Sequence, residues 1–180
     1  DGGDYFRYDS ANETWMQNLH KDNAKFTLVV GVEFGALGAN VEIGGTRGAQ
    51  TNTGAIWRKN SSDVVVWAVR NAGASALDVI GTTVLAANVP YFIAISLDES
   101  VGANGCFIYL NGGVELFTST YTLPSASNAT YTLEIGAGGN ADTPLPNTSK
   151  MWFFAAWEGV ALTQTQLNAL YQSTRGRFGV

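Results

Sequence analysis

Apolar and polar residues alternate along this chain in short runs, and the runs are broken by clusters of Gly, Asn, Asp and Ser. "FTLVVGVEF" (26–34), "DVVVWAV" (63–69), "YFIAISL" (91–97) and "GCFIYL" (105–110) are rich in the β-branched and aromatic residues that suit a pleated surface. The same pattern predicts strands at 4–8, 55–58, 77–85, 114–118, 131–136 and 150–158. Many short strands with turn signals between them, and almost no helical periodicity, predict an all-β antiparallel β-sandwich. "LNGG" carries Asn111-Gly112, a dipeptide that tolerates the positive φ angles of a two-residue hairpin turn.

One short C-terminal helix breaks the pattern. In "LTQTQLNALYQ", Thr163 stands three residues before Gln166, the spacing of a capping box, and Leu167, Leu170 and Tyr171 line one face. The strand before it, "MWFFAAW", is apolar at odd and even positions alike. Strand side chains alternate between faces, so both faces of this strand need cover. One face is expected in the sandwich core, with Trp67, Trp152 and Trp157 among the core residues. The other is expected under the helix or against a neighbouring subunit, which would make a homo-oligomer. No linker or shift in composition divides the chain, so residues 1–180 are expected to form a single domain.

Composition narrows the function classes. With 46% apolar residues the chain is no disordered polypeptide, and its 14% of charged residues is low against a norm of about 25%. The net charge is −5 and no basic run occurs, which argues against a nucleic-acid partner. The apolar runs are too short for a helix to cross a bilayer, so no membrane insertion is expected. Cys106 is the only cysteine; it has no disulfide or zinc partner and reads as a small buried hydrophobe. The chain opens on Asp rather than Met, as a processed product or a piece of a longer protein would.

The ordered set "VPYFIAISLD", "GCFIYLNG", "LEIG" and "MWFFAAWEGVALTQTQLNALY" resembles the laminin G-like domain of the concanavalin A-like superfamily, and "DGGDYFRY" and "AKFTLVVGVEF" are similar to its first two strands. The resemblance implies a concanavalin A-like jelly roll. The ending "YQSTRGRFGV" is similar to tails of laminin G-like domains in phage structural proteins.

Nothing along the chain spells out catalysis. Superfamily hydrolases carry closely alternating carboxylates on one strand, whereas Glu33, Glu42, Glu115, Glu134 and Glu158 are separated here. His20, the only histidine, lies in a polar loop and is expected to be exposed and idle. "GALGANVEIGG" lacks the strand-to-helix context of a nucleotide cradle. The resemblance allows a calcium at the sandwich rim, for which Asp98 and Asn104 in one loop and Asn140 and Asp142 in another are the candidate ligands. Asp98 and Glu99 also read as a polar turn. Sugar-binding modules use aromatic rings as platforms for pyranose faces; Trp15 and Trp57, the latter beside Arg58, stand in polar company and are the candidate ligand contacts. The expected function is non-catalytic recognition or assembly on an extracellular or virion surface. It would be a phage tail, fibre or capsid decoration that binds host glycans or other virion or surface proteins. The alternative is a carbohydrate-binding module of a secreted enzyme or adhesin.

Overall fold

The computed structural model describes residues 4–9, 11–12, 14–103, 105–115, 121–122 and 126–178. Six strands form one antiparallel sheet: β1 (Phe6–Arg7), β3 (Val41–Gly45), β4 (Gly54–Lys59), β5 (Val65–Asn71), β6 (Ala74–Ile80) and β10 (Glu134–Ile135), in the order β1-β10-β3-β4-β5-β6. Five form the other: β2 (Lys25–Glu33), β7 (Pro90–Asp98), β8 (Cys106–Leu110), β9 (Gly113–Glu115) and β11 (Lys150–Glu158), in the order β11-β2-β7-β8-β9. With the helix α1 (Gln164–Phe178), they make a jelly-roll β-sandwich.

Period-two alternation builds the core. Phe26, Leu28, Val30 and Val32 of β2 and Ile93, Ile95 and Leu97 of β7 share one buried cluster with Ala55 and Trp57 of β4 and Val65, Trp67 and Val69 of β5. The rings of Phe26 and Trp67 meet across it with centroids 5.6 Å apart. Several of the intervening residues of the five-stranded sheet are apolar too, although the paired Thr27 and Ser96 are buried polar ones. Val29, Phe92, Ala94 and Tyr109 form a second cluster, closed by Leu167 and Tyr171 of α1. Phe92 sits edge-on to both Tyr109 (5.7 Å) and Tyr171 (5.6 Å). The doubly apolar strand β11 splits as expected: Met151, Phe154 and Ala156 pack on the core, and Phe153 and Trp157 pack on the helix-side cluster. The register of β11 shifts between Met151 and Phe153, where the Phe153 ring lies over Gly31; a Cβ there would stand 2.5 Å from the ring.

The local signals hold at both predicted turns. Gln166 N–H donates to Thr163 Oγ1 (3.3 Å), and Thr163 N–H donates to Gln166 Oε1 (2.9 Å). Asn111 and Gly112 take φ of 43° and 97° between paired Leu110 and Gly113. Cys106 is buried, which pushes its thiol pKa far above the ordinary value.

Four expectations are corrected. His20 is 1% exposed rather than exposed, donating from Nε2 to the Ser127 carbonyl at 2.9 Å, and burial lowers its pKa. Trp152 and Trp157 are half-buried and outside the main core, Trp157 near the helix and Trp152 beside Phe6. The strand expected over 77–85 ends at Ile80 because the next residues fold onto Glu115. That carboxylate accepts from the Thr82 and Thr83 amides and from both hydroxyls; burial opposes its ionisation, but these bonds prevail and hold its pKa below the ordinary value. Finally, β3 was not anticipated as a strand at all, since its glycines mask a short alternation. Residues 116–118 of the strand expected over 114–118 lie outside the described residues.

Leu167 is fully buried beneath α1. Its replacement by Ala is expected to lower unfolding free energy by about 2–5 kcal/mol in urea titrations. A loss well below 1 kcal/mol would mean that the helix is not the cover of this face.

Candidate functional site

The helix lies against the outer face of the five-stranded sheet, and the outer face of the six-stranded sheet carries different chemistry. Alternation again decides which residues reach it. Val41 and Ile43 of β3 point into the core, so Glu42 between them points out; Ala55 and Trp57 of β4 point in, so Ile56 and Arg58 point out. Glu42 and Arg58 are direct cross-strand neighbours. Ile56, Val64, Val66 and Ala68 give this face a small apolar floor. Arg47, just beyond β3, is only 1% exposed. Glu42, Arg47, Gln50, Arg58, Asp142 and Thr143 line a depression of about 230 Å³. A neighbouring depression of about 390 Å³ shares Gly48, Ala49 and Asp142 with it and adds Asn52, Tyr131 and Asn140. The two make one polar trough with an aromatic ring at one end.

Backbone contact holds the far wall in place. A Cβ on Gly139 would stand 2.8 Å from the Arg47 nitrogen, and one on Gly48 would stand 2.6 Å from the Gly139 carbonyl oxygen. Only glycine at both positions lets the two loops approach so closely. The loop is then pinned by carboxylates from the sheet. Ala141 N–H donates to Glu134 (2.7 Å), whose other oxygen accepts from Arg7 Nε (2.8 Å). The Thr143 hydroxyl donates to Glu42 (3.0 Å), and the Glu42 amide donates to the Thr143 carbonyl (2.9 Å). Asn140, Ala141 and Thr143 all sit at positive φ, 68°, 55° and 39°. Such backbone strain persists only where surrounding contacts over-determine it, and it concentrates at functional sites.

The electrostatics are unusual for a sheet surface. Burial pushes the Glu42 carboxyl from 4.5 up to about 8, against the lowering pull of the Thr143 hydroxyl, Arg58 and Arg47. Burial, and then Arg70, push Arg47 down to about 10. At neutral pH, therefore, Glu42 is protonated while Arg47 remains charged. Glu42 Oε2, Arg47 Nε and Nη2, and Arg58 Nε are buried without a hydrogen-bond partner among the described residues. They are half of all such side-chain atoms found there. Each unmet group of this kind costs about 1–3 kcal/mol, more for a charged one, so their concentration at one trough calls for an explanation.

The candidates from sequence distribute unevenly. Arg58, Asn140 and Asp142 come together in the trough. Trp57 is corrected: it is 1% exposed in the core, because the alternation that turns Arg58 outward turns its neighbour inward. Trp15 is half-buried in a 3₁₀ turn (Thr14–Gln17) and borders a separate depression of about 360 Å³ with Asp22, Lys25 and Glu158. Asp98 accepts from Lys25 (2.7 Å) and Ser100 (2.5 Å), and these two partners hold its pKa down. Glu99 accepts from the Asn23 amide at 3.0 Å. Asn104 lies outside the described residues. Calcium takes six to eight oxygens, and the described members of the expected set do not gather one. Asp98 is engaged on the five-stranded sheet, and among the described residues no three His, Cys, Asp or Glu are grouped to hold a metal ion. Glu42, Arg47 and Tyr131 escaped the sequence reading. The Val41-Glu42-Ile43 alternation was the available signal for the first.

No protein-family model matches the chain, and no curated protein matches it. Solved structures do. The CBM40 module of the Ruminococcus gnavus IT-sialidase superposes with a TM-score of 0.69 at 10% identity, covering 95% of this chain and 94% of that one. A Bacteroides ovatus protein proposed to bind carbohydrate gives a TM-score of 0.59 at 21% identity over 81% of this chain and 40% of its own length. The binding domain of botulinum neurotoxin DC, solved in complex with SialylT, gives 0.58 at 16% identity over 84% of this chain and 36% of its own length. The chain thus spans less than half of two of these three. The likenesses establish a lectin-like jelly-roll fold.

Glu42 makes stability depend on pH in an unusual direction. The folded chain keeps this proton up to about pH 8, whereas the unfolded chain releases it near 4.5. Its contribution is full below that lower value and is lost as pH rises toward 8, at on the order of 1.4 kcal/mol per pH unit. Glu42→Gln is expected to remove this decline from urea unfolding curves measured at pH 5, 6, 7 and 8. Parallel pH profiles for wild type and variant would contradict the protonated state of Glu42.

Proposed function

We propose that this chain is a non-catalytic glycan-binding domain and that the trough on the outer face of its six-stranded sheet is the binding site. The observation that carries the reading is the grouping in the lining of the trough of Glu42, Arg47 and Arg58, each with a buried polar atom that has no hydrogen-bond partner among the described residues. A sugar offers many hydroxyls that both donate and accept, and such a ligand would satisfy these groups at once. Tyr131 adds a ring against which a pyranose face can pack, and Asn52, Asn140 and Gln50 add amides. One sheet face is covered by α1 and the other carries the trough, which leaves the site open to an extended chain of sugars.

The solved neighbours support the choice of ligand, since they include a sialidase CBM40 module and a toxin binding domain in complex with SialylT. A sialidase module among them favours a carbohydrate-binding module of a larger secreted enzyme or adhesin over a laminin G-like component of a phage virion. No helix among the described residues is long and apolar enough to cross a membrane. The working location is an extracellular surface.

A glycan array probed with the purified domain, in calcium and in EDTA, tests the reading. Binding is expected in both, because the trough needs no metal. Tyr131→Ala should weaken it about tenfold with little change in melting temperature. Binding to no glycan, or release of reducing sugar from a bound one, would contradict the proposal.

A further inference from the structure

We infer that the trough selects glycans carrying a carboxylate, with the guanidinium groups of Arg47 and Arg58 holding the acid. This rests on the glycan-binding reading of the same trough and deepens it. Arg47 and Arg58 line the same depression, and Arg58 is one of the charges that, after burial and Arg70, push Arg47 down; cations so grouped are costly unless an anion lies beside them. Their existing partners are few. Among the described residues Arg47 makes two long contacts, from Nη1 to the Ala49 carbonyl and to Gln50 Oε1, each 3.4 Å, and its Nε and Nη2 are unmet. Nε and one Nη form the fork of donors that matches the two oxygens of a carboxylate, and on Arg47 that fork is the unused part. Arg58 adds a further unmet Nε from the neighbouring strand.

The acidic groups nearby do not cancel this charge. Glu42, the cross-strand neighbour of Arg58, is protonated at neutral pH, so it offers a donor rather than a competing anion. Glu134 is occupied by Arg7 and the Ala141 amide, and Asp78 is paired with Arg70 at 2.8 Å. Asp142, the other carboxylate of the lining, can offset only one of the two guanidinium charges and would accept from sugar hydroxyls. The site is therefore a local positive spot on a chain whose net charge is −5. An acid in that spot would be desolvated and paired, which gives discrimination as well as affinity.

Uronic acids and sialic acids share this carboxylate, and calorimetry with matched ligands separates them. The probes are trigalacturonate and its methyl ester, 3′-sialyllactose and lactose, and a sulfated disaccharide of equal charge. At least one carboxylated ligand is expected to bind about tenfold or more tightly than its neutral counterpart, with the preference shrinking as salt rises. Arg58→Ala should abolish the preference while leaving the melting temperature near wild type. Arg58→Lys, which keeps the charge but loses the fork, should recover only part of it. Equal binding of acidic and neutral ligands would overturn the inference and leave the glycan reading intact. A preference for the sulfated sugar would overturn the assignment to a carboxylate. No binding of any probe, alongside a silent glycan array, would overturn both.

Discussion

A sheet whose strands are apolar on both faces has to be covered on both, and that requirement organises this molecule. β2, β7, β8 and β11 put Phe26, Leu28 and Ile95 on one side and Val29, Phe92, Tyr109 and Trp157 on the other. The six-stranded sheet covers the first set. The second set would remain in water without α1, whose Leu167 and Tyr171 close it. Because the helix is committed there, the six-stranded sheet has no helix among the described residues on its outer face and is free to carry polar chemistry. The asymmetry of the sandwich thus follows from where the apolar surplus lies.

On the open face, burial and charge work against each other in a controlled way. Loops from either side close over Glu42 and Arg47, and the glycines at 48 and 139 allow the approach. The loop at 140–143 accepts positive φ at non-glycine residues because Glu42 and Glu134 pin it. Structure that holds strain and leaves polar donors unmet is unfavourable for the isolated domain. The proposed ligand would meet those donors and offset that cost, which is the sense of a preorganised site.

Much of the fold was legible in the sequence because its signals are local. Runs of β-branched and aromatic residues bounded by turn residues located β2, β7, β8 and β11; Asn111-Gly112 fixed one hairpin, and the Thr163–Gln166 spacing fixed the start of α1. The site was legible only in fragments. Arg58, Asn140 and Asp142 were recognised as candidates, but nothing in the chain order shows that a β4 residue and a loop some 80 residues later share one trough. Arg47 was passed over because a lone arginine between glycine-rich turns carries no pattern. β3 was passed over because glycines hid its alternation, and Glu42 went with it. Trp57 attracted attention by its polar neighbours, yet strand periodicity sends adjacent residues to opposite faces, and the polar neighbour was the informative one.

The most direct test is to watch the arginine side chains themselves. In a titration followed by ¹H–¹⁵N NMR, the Nε–H signals of Arg47 and Arg58 should shift together and saturate when a carboxylated glycan is added. Arg175 and Arg177, exposed near the end of α1, should not move. Shifts confined to the backbone around Trp15, with both trough arginines unmoved by any glycan, would place recognition elsewhere and contradict the account.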